Sequence, residues 1–137
     1  MSNAVCLSNV FIKGKRKGRK PMVEAVLGFI DLLEKTSQLE VVIELAEDAD
    51  THGDILAVLS AHPDVRIRAA VADNPNTPYI ALLKLARDES NDIRYQLAEN
   101  HNVPRNILHV LLTDENPYVQ ARAESTLERL GAFRLSA

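Results

Sequence analysis

The stretch "DADTHGD", residues 48–54, brings three carboxylates and an imidazole into seven residues. Asp48, Asp50, His52, Gly53 and Ile55 fall where a calcium loop places its ligands, its turn glycine and its apolar anchor. The closing bidentate glutamate of such a loop is missing, because Leu59 stands there. The same stretch aligns residue for residue with "NPNTPYI", 26 residues on, and is therefore read as a turn without a metal. His52, His62, His101 and His109 have neither HxxxH nor HExxH spacing. Cys6 is the only cysteine, so an internal disulfide and a four-cysteine cluster are both excluded. Gly14 and Gly18 lack the Lys-Ser/Thr of a phosphate loop, and no serine sits in a nucleophile elbow. No catalytic residue, cofactor or metal is assigned, and the chain is not expected to be an enzyme.

The other chemically dense stretch is "KGKRKGRK". Lys13, Lys15, Arg16, Lys17, Arg19 and Lys20 put six positive charges into eight residues. Such a run can neutralise phosphates of a nucleic acid, although no aromatic residue is interleaved to stack on bases. From Pro21 onward ten basic residues face 19 acidic ones, a balance of −9. A basic arm therefore precedes an acidic body, and that body would repel duplex phosphates away from the arm.

The elements that must carry these residues follow from a repeat. "VADNPNTP" (71–78) and "LAENHNVP" (97–104) share an apolar residue, Ala, an acid, Asn and a later Pro. A shift of 26 also aligns Leu56 with Leu82 and Leu108, Leu59 with Leu85 and Leu111, and Ile67 with Ile93 and Val119. Arg68 falls on Arg94, and "ELAEDADTHGDI" falls on "AVADNPNTPYIA" without a gap. Four ungapped units define a repeat protein. In the helix pair that leads into the 82–107 unit, Thr77 is the expected N-cap and Pro78 the first helical residue. "YIALLKLARD" would place Ile80, Leu83 and Arg87 on one side, with Leu82, Leu85 and Ala86 beside them. Ser90 or Asn91 caps the next helix, where Ile93 and Leu97 share a face. Asn100 stands where a left-handed terminator is wanted. The shared phrase is then punctuation between helices.

Leu, Ala, Glu and Arg content favours helix, and 137 residues make one domain. The expected fold is all-α, a short α-solenoid of about four two-helix repeats, because one such pair cannot bury its apolar stripe alone. Residues 1–20 form the arm and 21–137 the repeat domain, in units of about 30–55, 56–81, 82–107 and 108–133. "PMVEAVLGFIDLLEK" opens it with Val23, Val26, Leu27, Ile30 and Leu33 on a broad face. Residues 117–130 close it with Gln120, Arg122, Glu124, Ser125, Glu128 and Arg129 on a wet one.

"LARDESNDIRYQLAENHNVP" and "DVRIRAAVADNPNTP" resemble the leucine-rich repeat variant, a bacterial helical repeat akin to HEAT repeats. The resemblance spans roughly 39–130 and is strongest over 56–108. It implies a surface-presenting architecture rather than a chemistry. Some members bind an iron–sulfur cluster through cysteines in a separate segment, which Cys6 alone does not reproduce. HEAT-like repeats often pair an acid with an arginine six residues on, which implies an ion pair between Asp88 and Arg94.

The expected function is a cytoplasmic, non-catalytic scaffold that binds a protein or peptide. The alternative is a nucleic-acid-associated protein using the arm, with Arg66, Arg68, Arg94 and Arg122. The expected binding surface is the exposed face of the second helices, at Arg66, Asp92, Tyr95, Gln96, Tyr118 and Arg122. Residues there differ between units while the core positions agree, which suits specific recognition. No stretch approaches 18 apolar residues, so no membrane span is expected.

Overall fold

The computed structural model describes residues 21–35 and 38–131 of the chain. The arm and its six basic residues lie outside the described residues. Within them the protein is all-α, with eight helices and no strand. These are α1 (Pro21–Lys35), α2 (Leu39–Glu47), α3 (Gly53–Leu59), α4 (Val65–Asp73), α5 (Tyr79–Leu85), α6 (Asn91–Glu99), α7 (Arg105–Leu111) and α8 (Pro117–Arg129). None of the described helices is long and apolar enough to cross a membrane. The starts of α3, α5 and α7 recur every 26 residues, and so do those of α2, α4, α6 and α8.

The helices pack in the order of the chain. α1, α3, α5 and α7 lie each against the helix that follows, while α2, α4, α6 and α8 touch one another in sequence. That contact order is what a helical repeat requires. One core runs through it. Leu56, Leu59, Leu85, Leu108, Leu111, Ile67, Ile93, Leu97, Val119 and Leu127 are all buried within it. Full burial of each large aliphatic side chain is worth roughly 1.5–3 kcal/mol. α1 sends Val26 and Ile30 to this core. Ile80 departs from its expected face, because it is 74% exposed while Ala81, Leu82, Leu85 and Ala86 are buried. Its equivalents are Asp54 and Asn106, so the column is polar in two units out of three. Helical spacing within one short helix could not separate that column from the core.

The punctuation works differently from its sequence reading. Asn100 has φ −77° and Asn74 φ −70°, so neither terminates its helix in the left-handed region. Instead the side-chain oxygens of Asn74 and Asn100 accept the N–H groups of Asn76 and Asn102, both at 2.9 Å. The Asn74 amide also donates to the carbonyls of Ala46 and Asp48 in the preceding pair, each at 2.8 Å. Asn is thus wanted because it both accepts and donates at one place. Thr77 is not an N-cap. Its buried hydroxyl donates to the Val71 carbonyl at 2.6 Å, as Thr51 does to Leu45 at 2.7 Å, and Pro78 takes the capping position. Ser90 caps α6 by position but without a side-chain bond, whereas Asp64 and Asn116 accept from the N–H groups of Arg66 and Tyr118.

Candidate functional site

Two arginines join the repeats. Arg68 donates through Nε and Nη2 to the Asp88 carboxylate at 2.8 and 3.1 Å, and Arg94 does the same to Asp114. Both pairs are buried, with side chains 8% exposed in the first and 5% in the second. The partner lies 20 residues on, in the next unit, so the expected Asp88–Arg94 ion pair is not formed. Arg94 meets Asp88 only at its backbone carbonyl, at 2.6 Å. The reason is reach: six residues along, the acid has turned its oxygens to the N–H of Ser90 and to Arg68. Its hydrogen bond to Asp88 raises the pKa of the Arg68 guanidinium, and the bond to Asp114 does so for Arg94. Burial pushes the Asp114 carboxyl up, but Arg94 and the Asn116 N–H outweigh it and hold the group below the usual carboxylate range. These pairs are fully engaged in joining units.

The stretch 48–54 is built as a turn. Asp48 accepts the Asp50 N–H at 2.8 Å, and His52 caps α3 by accepting the Asp54 N–H through Nδ1 at 3.3 Å. Among the described residues no three His, Cys, Asp or Glu side chains gather into a metal-holding group.

The exposed face of α2, α4, α6 and α8 carries the recognition candidates. A shallow cavity of about 260 Å³ lies over Ala69 and Ala70, between Glu47, Arg66, Asp73 and Gln96. A second of about 440 Å³ shares Asp73 and Gln96 with it and continues past Glu99 to His101 and Asn102. The two cavities adjoin through Asp73 and Gln96 and make a groove from the end of α2 over α4, Arg66 of its first turn included, to the end of α6. Gln96 is held by a 3.2 Å bond to the Ala69 carbonyl. Arg66 leans to Asp64 at 2.9 Å and to Glu40 at 3.7 Å, and its hydrogen bond lowers the Asp64 pKa despite some desolvation. Beside the groove, Arg122 lies 5.3 Å from the centroid of the Tyr95 ring, donates to its hydroxyl at 3.1 Å, and pairs with Glu99 at 3.1 Å.

Of the six residues expected at this surface, Arg66 and Gln96 line the groove and Tyr95 and Arg122 border it. Asp92 and Tyr118 sit at the opposite ends of α6 and α8; both are exposed, Tyr118 to 77%, and neither lines the groove. Sequence reasoning passed over Glu47, Asp73 and Glu99. They are the acids that follow Ala at the ends of α2, α4 and α6, before Asp48, Asn74 and Asn100, and a column acidic in three successive units was the available signal.

The described residues form an all-helical protein whose packing is compatible with a helical repeat, with a polar groove on the second-helix face. No protein-family model, curated protein or solved structure matches the chain.

Proposed function

We propose that this chain is a non-catalytic, cytoplasmic scaffold that binds a protein or peptide along the second-helix face. The observation that carries the reading is the groove over α2, α4 and α6. It is lined by Arg66, Ala70 and Gln96, from columns where the units differ, on helices whose core positions are alike. The resemblance of the repeats to the leucine-rich repeat variant supports it, since helical repeats mainly present surfaces. The alternative, a nucleic-acid-associated protein, draws on the six charges of residues 13–20. The acidic balance of the remainder weighs against it.

Affinity capture from the source cell, with and without nuclease, tests the two readings. Tyr95→Ala and Arg122→Ala dismantle the stacked pair beside the groove and should each lower partner recovery, with no effect of nuclease. Recovery that survives both substitutions but disappears with nuclease would transfer the function to the arm.

A further inference from the structure

We propose that residues 4–12 of this chain cover the apolar end of the stack formed by α1 and α2. Comparison of equivalent columns identifies that end. Val41 is 41% exposed, whereas its equivalents Ile67, Ile93 and Val119 are all buried. Phe29 is 38% exposed, whereas Ala81 and Ile107 in the same column are buried. Leu45 is only partly buried, although Val71, Leu97 and Ala123 are fully so. A column that is open in the first unit alone faces the place where an earlier helix pair would stack. On α1, Met22, Ala25, Phe29 and Leu32 succeed one another at spacings of three and four, so they share one side of the helix. Met22 and Leu32 are exposed there with Phe29.

The opposite end is finished differently. In the column where Ala46, Ala72 and Ala98 are buried, α8 carries an exposed Glu124. A polar outer side is what a terminal repeat needs in water. Val41 and Phe29 instead keep the residue type of an internal joint. The segment "AVCLSNVFI" supplies Val5, Leu7, Val10, Phe11 and Ile12 to match it, and only the eight residues 13–20 separate it from α1. Eight residues reach roughly 29 Å at most. The helix rises only about 15 Å between Met22 and Leu32, so the whole stripe is within the tether's range. Charge decides against a second copy. α1 and α2 contain six acidic residues and one lysine. Arg66 offsets one of these acids, Glu40, from 3.7 Å. Two copies joined at this end would set like charges together, and head-to-tail stacking would bury Glu124. Residues 13–20 bring six positive charges to the same acidic end.

Cys6, the only cysteine, lies within the segment and reports on its burial. Its reaction with a thiol reagent is followed in the full chain and in a peptide of residues 1–20. The full chain should react about tenfold more slowly, the protection expected of a segment that opens locally. Phe29→Ser/Val41→Ser alters two exposed positions, so helical circular dichroism should be unchanged while Cys6 reacts as fast as in the peptide. Tyr118→Ser, on α8, should leave Cys6 protected. Leu7→Ser/Phe11→Ser changes the segment itself and leaves the described core untouched. It should release Cys6 and lower the melting temperature by about 2–6 °C, with no further effect in the Phe29→Ser/Val41→Ser background. Cys6 as reactive in the full chain as in the peptide, or a melting temperature indifferent to Leu7→Ser/Phe11→Ser, overturns the proposal. So does protection that survives Phe29→Ser/Val41→Ser. Protection that weakens on dilution, with a dimer mass in sedimentation, gives the end to a second copy and equally overturns it.

Discussion

At the scale of single residues, the joints between repeats turn on matched substitutions. Arg68 meets Asp88 and Arg94 meets Asp114, each 20 residues on. At the first joint the equivalent positions hold Val42 and His62, so the cation and the anion are missing together. At the last unit Gln120 replaces arginine and, among the described residues, donates to the Asp114 carbonyl at 2.6 Å. Breaking one partner of a buried pair leaves a desolvated charge, whereas replacing both with apolar residues is often close to neutral. Arg94→Leu should therefore cost about 3–5 kcal/mol in urea unfolding, and Arg94→Leu/Asp114→Leu should recover most of it. The same pair sets an acid limit. Asp114 is held below its unfolded value of about 3.9, so its contribution is present above that pH and is lost as pH falls through the folded pKa. The urea midpoint should fall on acidification below about pH 4. That fall should be shallower in the double leucine variant.

At the scale of elements, the turns decide where each helix stops and how it meets its predecessor. Asn74 uses its oxygen within the turn and its amide across to Ala46 and Asp48. Asn74→Asp preserves the first role and sets a carboxylate against two carbonyls. It should destabilise by about 1–3 kcal/mol, as expected when buried acceptors lose their donor. Asp48 holds that column in the first unit, where no earlier helix pair offers carbonyls among the described residues. The 48–54 turn gives a second check. Asp48 and His52 already accept from Asp50 and Asp54, so added calcium or zinc should leave the melting temperature unchanged. A ligand at 100 times its Kd would add about 2.7 kcal/mol, a shift that thermal unfolding would resolve.

At the scale of the whole molecule, stability comes from a core that no helix pair completes by itself. Leu59, Leu85 and Leu111 occupy equivalent positions and all are fully buried. Leu85→Ala should cost about 2–5 kcal/mol by opening a cavity in the middle of the stack. The cost should exceed that of Leu111→Ala, because α5 and α6 have helix pairs on both sides. Denaturant midpoints of the two variants compare them directly. The acidic body belongs to this scale too. Glu47, Asp73 and Glu99 form a line only because three helices end side by side.

Period and helix content needed no coordinates. Leu56, Leu82 and Leu108, and the Asn…Pro phrase, recur at 26 because every unit must bury the same stripe and make the same turn. A repeating physical demand leaves a repeating residue type, and the sequence by itself determined both the all-α class and the equivalence of the core leucines. The partners of Arg94 and Thr77 were not legible in the same way. Spacing along one chain shows which residues are near in order, and Asp88 is near Arg94 in order. The side-chain partner is instead Asp114, because stacking brings the next unit's acid to the guanidinium while Asp88 is engaged by Arg68. The groove has the same origin. An acid in a repeated phrase reads equally as punctuation or as surface, since both occupy the end of a helix. Tertiary structure decided between them by placing the three ends side by side, with the carboxylates exposed.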